Sequence, residues 1–396
     1  MSSEIKLPHC KFFIKKKKRY CSLMVGKDRL YCGEHENNLD VPSKDNSLKR
    51  ITCPLDPRHT VYEQKLKKHL KICNSRPPKE TPKYINLNLN RGLEDPDTQN
   101  FELKNVGETE ILKVIEIVDD LYEKYFSSDT IQELWGQKIS LVIEDQSKTQ
   151  MKHLDQVSSI LGIAHHLNFF EPNTCFLEFG AGRGELAYYI AKEAEKLQGT
   201  NKVLLIDRST FRHKKDNRIE NRDLVHRIKA DIANLDLKGL EIAQPCQQFI
   251  GLSKHLCGSA TDLALRCMVN GNSGQNPMTK GFIIALCCHH RTSYGDFTGR
   301  TFLDENKIDS NTFKIITKMT SWGICGHERG EDTKADDHES EKLSKSVKEK
   351  VGWKCKRILD YARKVYMDQN GFECNLKYYV KSDVTLENVC LVGIRK

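Results

Sequence analysis

The sequence predicts an α/β fold, a mostly parallel and doubly wound sheet, preceded by two small modules that need metal to fold. Three observations carry this expectation. Apolar runs of strand length alternate with helical patterns through the C-terminal half of the chain. A glycine-rich turn with Gly180, Gly182 and Gly184 joins the first of those strands to a helix. Two compact groups of cysteine and histidine stand near the N-terminus, where little else can form a core.

At 396 residues the chain exceeds what one hydrophobic core organises, which favours one large domain plus smaller modules. No apolar stretch approaches the roughly 18 residues of a membrane span, and MSSEIKLPHC lacks a signal-peptide pattern. A soluble, non-secreted protein with no membrane partner is expected, resident in the nucleus, the cytoplasm or both. Fifteen cysteines in a reducing compartment favour metal ligation over a disulfide framework. The net charge is +9, and Lys15, Lys16, Lys17, Lys18 and Arg19 are consecutive, with Lys65, Lys67, Lys68 and Lys71 later. Such a distribution suits a polyanion partner, and the lysine run equally suits nuclear targeting.

The first module, residues 1–40, carries Cys10, Cys21, Cys32 and His35 in the order C-x10-C-x10-C-x2-H, with Gly33 where a ligand knuckle needs a permissive backbone. Three thiolates and an imidazole make a closed structural site. Phe12, Phe13 and Ile14 are too few for a core, so the module is expected to unfold without zinc. His9 is read as a flanking surface residue.

The second module, residues 50–76, carries Cys53, His59, His69 and Cys73, spaced C-x5-H-x9-H-x3-C. VYEQKLKKHLKI reads as an amphipathic helix that places His69 and Cys73 one turn apart, with His59 at the helix entrance. Residues 77–108, rich in proline and asparagine, read as an extended linker.

Residues 109–396 form the large domain. ETEILKVIEIVDDLYEKYF and MKHLDQVSSILGIAHHL read as entry helices, with His165 and His166 as surface or packing residues. CFLEFGAGRGELAYYIA is strand, glycine turn and helix. Its G-x-G-x-G spacing, with Glu178 two residues before, departs from the dinucleotide pattern and resembles the S-adenosylmethionine loop of Rossmann-like methyltransferases. KVLLID ends at Asp207, where an acid can accept from both ribose hydroxyls. LVHRIKADI ends near Asp231, which fits the position that contacts the adenine amine in that class. FIGLSKHLCG and GFIIALCCHH are the fourth and fifth strands, and FECNLKYYV and NVCLVGI close the chain as a strand pair with an antiparallel last strand. The charged stretch at about 327–346 reads as a disordered insertion.

CPLDPRHTVYEQKLKKHLKIC resembles the CHHC zinc finger shared by a minor-spliceosome protein and a family of eukaryotic tRNA 2'-O-methyltransferases, and the C-C-C-H module resembles the finger that opens members of that family. KHLCGSATDLAL and ALCCHH are similar to motifs of the same family. The resemblance implies a Rossmann-like class I methyltransferase fold behind two zinc fingers. It further implies S-adenosylmethionine as methyl donor, two structural Zn2+ sites, a tRNA partner, and methylation of the ribose 2'-hydroxyl at the fourth nucleotide of the acceptor stem. Donor contacts fall on Glu178, Gly180, Gly182, Gly184, Asp207 and Asp231. One departure is RTSYGDF, with Thr292 and Tyr294 where the family often has cysteine and tryptophan.

Ribose methylation is an in-line displacement that needs alignment and removal of the hydroxyl proton. Lys254, His255, His289 and His290, at the ends of adjacent strands, are the catalytic candidates, with Lys254 and His289 or His290 expected to position or deprotonate the hydroxyl. Successive side chains of a strand alternate in direction, so Cys287, Cys288, His289 and His290 are not expected to converge on a metal unless the backbone turns sharply, and the two cysteines are read as packing residues. A pair from this motif joined to His255 and Cys257 is the remaining metal arrangement. Arg183, Arg208, Arg291, Lys356 and Arg357 are read as phosphate ligands or solvated charges. The competing whole-protein reading is a non-catalytic RNA-binding adaptor on a methyltransferase scaffold. Against base methylation, no Asn/Asp-Pro-Pro-Tyr motif follows the fourth strand. The oligomeric state is not legible in the sequence.

Overall fold

The structure is a computed structural model that describes residues 9–14, 19–25, 30–32, 35, 50–73, 76, 80–94, 101–127, 131–134, 138–140, 148–211, 214–272, 278–323 and 344–396. Lys15–Lys18, Gly33 and residues 327–343 of the expected insertion lie outside them. The chain divides into two compact units, Met1–Thr81 and Pro82–Lys396.

In the first unit, β1 (Phe13–Ile14) and β2 (Arg19–Tyr20) pair antiparallel. Further on, β3 (Arg50–Cys53) and β4 (Asp56–Tyr62) form a hairpin, followed by α1 (Leu66–Ile72). The helix is shorter than its apolar pattern implies. Val61 and Tyr62 pair with Ile51 and Arg50, so His59 lies on a strand rather than at a helix entrance. Arg50 fixes this register through its Nε–H bond to Thr60 Oγ1 at 2.9 Å and by lying 4.6 Å from the centre of the Tyr62 ring.

The second unit is built on one eight-stranded sheet. Its parallel part comprises β6 (Thr174–Phe179), β7 (Lys202–Asp207), β8 (Val225–Lys229), β9 (Gln248–Cys257) and β10 (Met278–Cys287). With β5 (Gln132–Glu133), β11 (Phe372–Tyr378) and β12 (Val389–Arg395), the strand order is β5-β11-β12-β10-β9-β6-β7-β8. β12 runs antiparallel to both neighbours, as the closing strand pair implies. The chain leaves β6 in one direction and returns to β9 on its other side, so the switch point that opens a ligand crevice lies between their carboxyl ends.

Alternation along β6 feeds two cores. Cys175, Leu177 and Phe179 face a layer with α5 (Ser259–Asn270), whereas Phe176 faces α3 (Lys148–His166) and α4 (Glu185–Ala194). A third core joins α2 (Glu108–Phe126), α6 (Arg300–Glu305), α7 (Ser310–Met319) and α8 (Lys345–Gln369) through Val118, Phe302, Phe313 and Leu359.

Residues 82–92, within the stretch expected to be linker, are a strap bonded to the sheet's far loops. Asn86 and Asn90 amides donate to Asn234 and Ala233 at 2.8 and 2.9 Å. The Asn90 side chain, fully buried, donates to the carbonyls of Ile232 and Leu235 at 2.6 and 2.7 Å. The strap thereby holds the 231–236 turn from outside, and asparagine serves because it can close unpaired backbone groups in a buried position.

Candidate functional site

In the first unit the ligand atoms of Cys10, Cys21, Cys32 and His35 lie within 4.8 Å of one another, and so do those of Cys53, His59, His69 and Cys73. His35 Nδ1 is 3.5 and 3.4 Å from the sulfurs of Cys10 and Cys32, and Phe12 stacks on its ring at 4.0 Å. In the second group the hairpin supplies Cys53 and His59, and α1 with its C-terminal cap supplies His69 and Cys73. The Cys53 and Cys73 sulfurs are 3.8 Å apart, and His69 Nε2 is 3.2 Å from Cys53 Sγ. Asp56 lies 3.8 Å from His59 Nδ1, behind the ring, where an outer carboxylate orients a ligand imidazole. Thiolate and imidazole donors at these separations fit tetrahedral Zn2+.

In the second unit Gly180, Gly182 and Gly184 all take positive φ, at 68°, 52° and 75°. A side chain at Gly184 would also meet Asp216 Oδ1 and Leu205 Cδ2, each at 2.7 Å. Above Gly182 the space is open, its imagined Cβ having only the Gly180 carbonyl within 4.0 Å, which leaves room for a ligand against the backbone. Arg227 secures the loop from below, donating to the Gly182 carbonyl at 2.9 Å and to buried Asp216 at 2.6 and 3.0 Å. Glu178 is buried and accepts from the Ala187 amide at 2.9 Å, tying loop to α4. Burial pushes its carboxyl up to about 8, against the opposing pull of that amide, Lys254 and Arg227.

The two acids stand at successive strand ends. Asp207 accepts from the amides of Gly182 and Ser209 at 3.0 and 2.8 Å, and Asp231 accepts from Ala233 at 3.0 Å. Between Ser253 and Leu256, β9 carries one more residue than β10 opposite it, a bulge that re-aims Lys254 and His255 beside the glycine loop. Lys254 Nζ bonds Glu185 Oε2 at 3.2 Å, and Lys215 approaches the same carboxylate at 3.4 Å. Burial raises the Glu185 carboxyl, but the two lysines outweigh it and hold the group below the usual range. His153 on α3 feels this cluster too: burial, then Lys254, lower its pKa.

β10 ends at Cys287, and Cys288 takes the left-handed conformation at φ 51°, ψ 40°. The backbone therefore does turn sharply, and alternation does not continue through the motif. Cys287 and Cys288 are brought together with His255 and Cys257, all four ligand atoms within 4.8 Å of one another. His289, only 1% exposed, bonds Asp360 through Nε2 at 2.6 Å. Asp360 also accepts from Arg357 at 2.8 Å, and Arg363 pairs with Asp262 while donating to Thr292 Oγ1 at 3.1 Å. His290 is half-buried, its pKa lowered by burial and then by Lys318 and Arg291. Beside this turn lies a cleft of about 1180 Å³ lined by Ser259, Ser293, Tyr294, Lys314 and Lys318, with Arg91 from the strap.

Comparison with known proteins meets this geometry. Residues 155–394 match the family model described as Methyltransferase TRM13, residues 8–36 match the CCCH zinc finger in TRM13 protein, and residues 50–74 match the U11-48K-like CHHC zinc finger. The chain belongs to the TRM13 methyltransferase family. Among its relatives, the protein of Homo sapiens named tRNA:m(4)X modification enzyme TRM13 homolog is 31% identical, the match covering 97% of this chain and 94% of the relative. The Mus musculus homolog is 30% identical with the same coverage, and the Saccharomyces cerevisiae enzyme of that name is 31% identical over 98% of this chain and 96% of its own.

The two finger modules of this TRM13 relative stand on metal. Removing zinc with a chelator is expected to unfold residues 9–14, 19–25 and 50–73 and to leave β6–β9 folded, because the first module's apolar cluster is small and three of its four buried members are metal ligands, whereas the sheet packs against two large cores. Hydrogen exchange read segment by segment checks this. Lys356 and Arg357 are neither solvated nor free for phosphate: both are 2% exposed and paired with Glu387 and Asp360. Asp216, Arg227, Asn90 and Asp360, which hold the loops in place, carry no motif signal: Arg227 meets Gly182, Asn90 meets Ile232 and Asp360 meets His289 far off in sequence, and the Asp216–Arg227 pair, 11 positions apart, has no recognisable spacing. No helix among the described residues is long and apolar enough to cross a membrane.

Proposed function

We propose that this TRM13 family member transfers the methyl group of S-adenosylmethionine to the ribose 2'-hydroxyl of nucleotide 4 in the tRNA acceptor stem. The observation that carries the reading is the order of groups along the switch point: three left-handed glycines after β6, Asp207 at the end of β7, Asp231 just after β8 and Lys254 near the end of β9. The relatives' names, tRNA:m(4)X modification enzyme, supply the substrate class.

The donor supplies an electrophilic methyl group on a sulfonium. Asp207, its carboxylate oriented by two amides, keeps acceptor capacity that would hold the ribose hydroxyls of the donor, and Asp231 would hold its adenine amine. Lys254 steadies the acceptor oxygen as its charge develops. His290 takes the hydroxyl proton, and His289 is a positioning residue that anchors the turn through Asp360. Lys314 and Lys318 are the groups of the neighbouring cleft that can meet phosphates of the RNA backbone, since its third cation, Arg91, is paired with Asp296 and the lining also carries Glu94 and Glu102.

Gly184→Ala is expected to destabilise the second unit by about 1–3 kcal/mol, the strain of a left-handed alanine that also meets Asp216; denaturant melts of wild type and variant measure it. A His290 base with a lowered pKa stays neutral as pH falls through 6.5, so the acid limb of the single-turnover pH–rate profile is expected below that value. The reading itself is tested with a tRNA carrying one 2'-deoxynucleotide at position 4. Methyl transfer to it should vanish while binding persists; continued transfer would locate the acceptor elsewhere.

A further inference from the structure

We propose that His255, Cys257, Cys287 and Cys288 bind a third zinc ion at the carboxyl ends of β9 and β10. The site goes beyond the proposed reaction and does not depend on which acceptor is methylated. Cys257 and Cys287 are direct partners across the two parallel strands. His255, two residues before Cys257, brings its ring against both thiols, with Nε2 3.1 Å from Cys257 Sγ and Nδ1 3.3 Å from Cys287 Sγ, and one of these nitrogens serves as its single ligand atom. The left-handed turn at Cys288 brings in the fourth ligand.

The protein contains its own yardstick. Zinc bonds of about 2.3 Å to sulfur and 2.0 Å to nitrogen place tetrahedral ligand atoms roughly 3.5–3.8 Å apart. In the two fingers the corresponding separations include 3.4, 3.5 and 3.8 Å, and all three groups meet the same limit of 4.8 Å. The donor set, three cysteines and one histidine, repeats that of the first finger. Cys288 is a second, independent sign: a non-glycine residue held left-handed is strained, and ligation offsets that strain.

Four protein ligands leave no open position, so the ion is structural. It clamps the KHLCG turn to the CCHHR turn, which already touch so closely that a Cβ at Gly258 would come within 2.6 Å of the Arg291 main chain. The His255 carbonyl lies 3.3 Å from where a Gly180 Cβ would be, so the clamp also underlies the glycine loop. His255 is then a ligand rather than a proton acceptor.

The test is metal content of the full-length chain. Plasma mass spectrometry is expected to find three zinc ions per chain, one for each ligand group, and two in the Cys257→Ser/Cys287→Ser variant. Should that variant fail to fold, a chain with both fingers ablated (Cys10→Ser, Cys32→Ser, Cys53→Ser, Cys73→Ser) decides. Reconstituted with Co2+, it should hold one ion and show a thiolate-to-cobalt charge-transfer band. Two zinc ions in the unsubstituted chain, no such band in the ablated one, or a native disulfide among Cys257, Cys287 and Cys288 would each overturn the proposal.

Discussion

Asp360→Ala is expected to lower the stability of the second unit by about 3–5 kcal/mol, the loss typical when one partner of a buried ion pair is removed. Asp360 is fully buried, with His289 Nε2 and Arg357 on its two oxygens at 2.6 and 2.8 Å and Arg363 at 3.6 Å. Alanine leaves the Arg357 guanidinium, itself 2% exposed, without its carboxylate inside the third core. The direction with pH follows. Burial raises the Asp360 carboxyl, but His289, Arg357 and Arg363 outweigh it and hold it below its ordinary 3.8. Its contribution is therefore present above about pH 3.8 and lost as pH falls through the depressed folded value. Denaturant melts of wild type and variant should differ by a constant amount at neutral pH and converge in acid. Equal melts at pH 7 would show that the network holds nothing together.

Lys254→Ala lowers the single-turnover rate by about 10²–10³-fold, the usual effect of deleting one group aimed at developing charge. Donor affinity should change little, because the glycine loop and the two strand-end acids do not rest on Lys254. That split distinguishes a group acting on the acceptor oxygen from a merely structural one, which would move both quantities. Glu185→Gln supplies the complementary check: it releases Lys254 from its 3.2 Å partner without removing the ammonium, and should leave more activity than Lys254→Ala. A Lys254→Ala enzyme at the wild-type rate would remove Lys254 from the mechanism.

The parallel strands were legible because runs such as KVLLID and GFIIALC are apolar on both faces, as buried strands between helical layers must be. The finger ligands were legible through spacing alone. What escaped are devices that depend on distant partners. Asn90 meets Ile232 across 142 positions, and His289 meets Asp360 across 71. Neither side chain advertises its partner. α8 is a different case: Val351, Cys355, Ile358, Leu359 and Ala362 fall on one helical face, but the charged stretch before it masks where the helix starts. The grouping of His255 and Cys257 with a pair from the motif at 287–290 was open in the sequence but disfavoured, because alternation is a rule for strands, and the strand stops one residue before Cys288. The β9 bulge is likewise set by pairing with β10 and has no signature of its own.

Ribose methylation is tested most directly by methyl transfer from labelled S-adenosylmethionine to unmodified tRNA transcripts by the zinc-loaded full-length chain, followed by alkaline hydrolysis. The label is expected in an alkali-resistant dinucleotide that maps to position 4 of the acceptor stem. Label released in mononucleotides, the mark of base methylation, or label in protein rather than RNA, would contradict it.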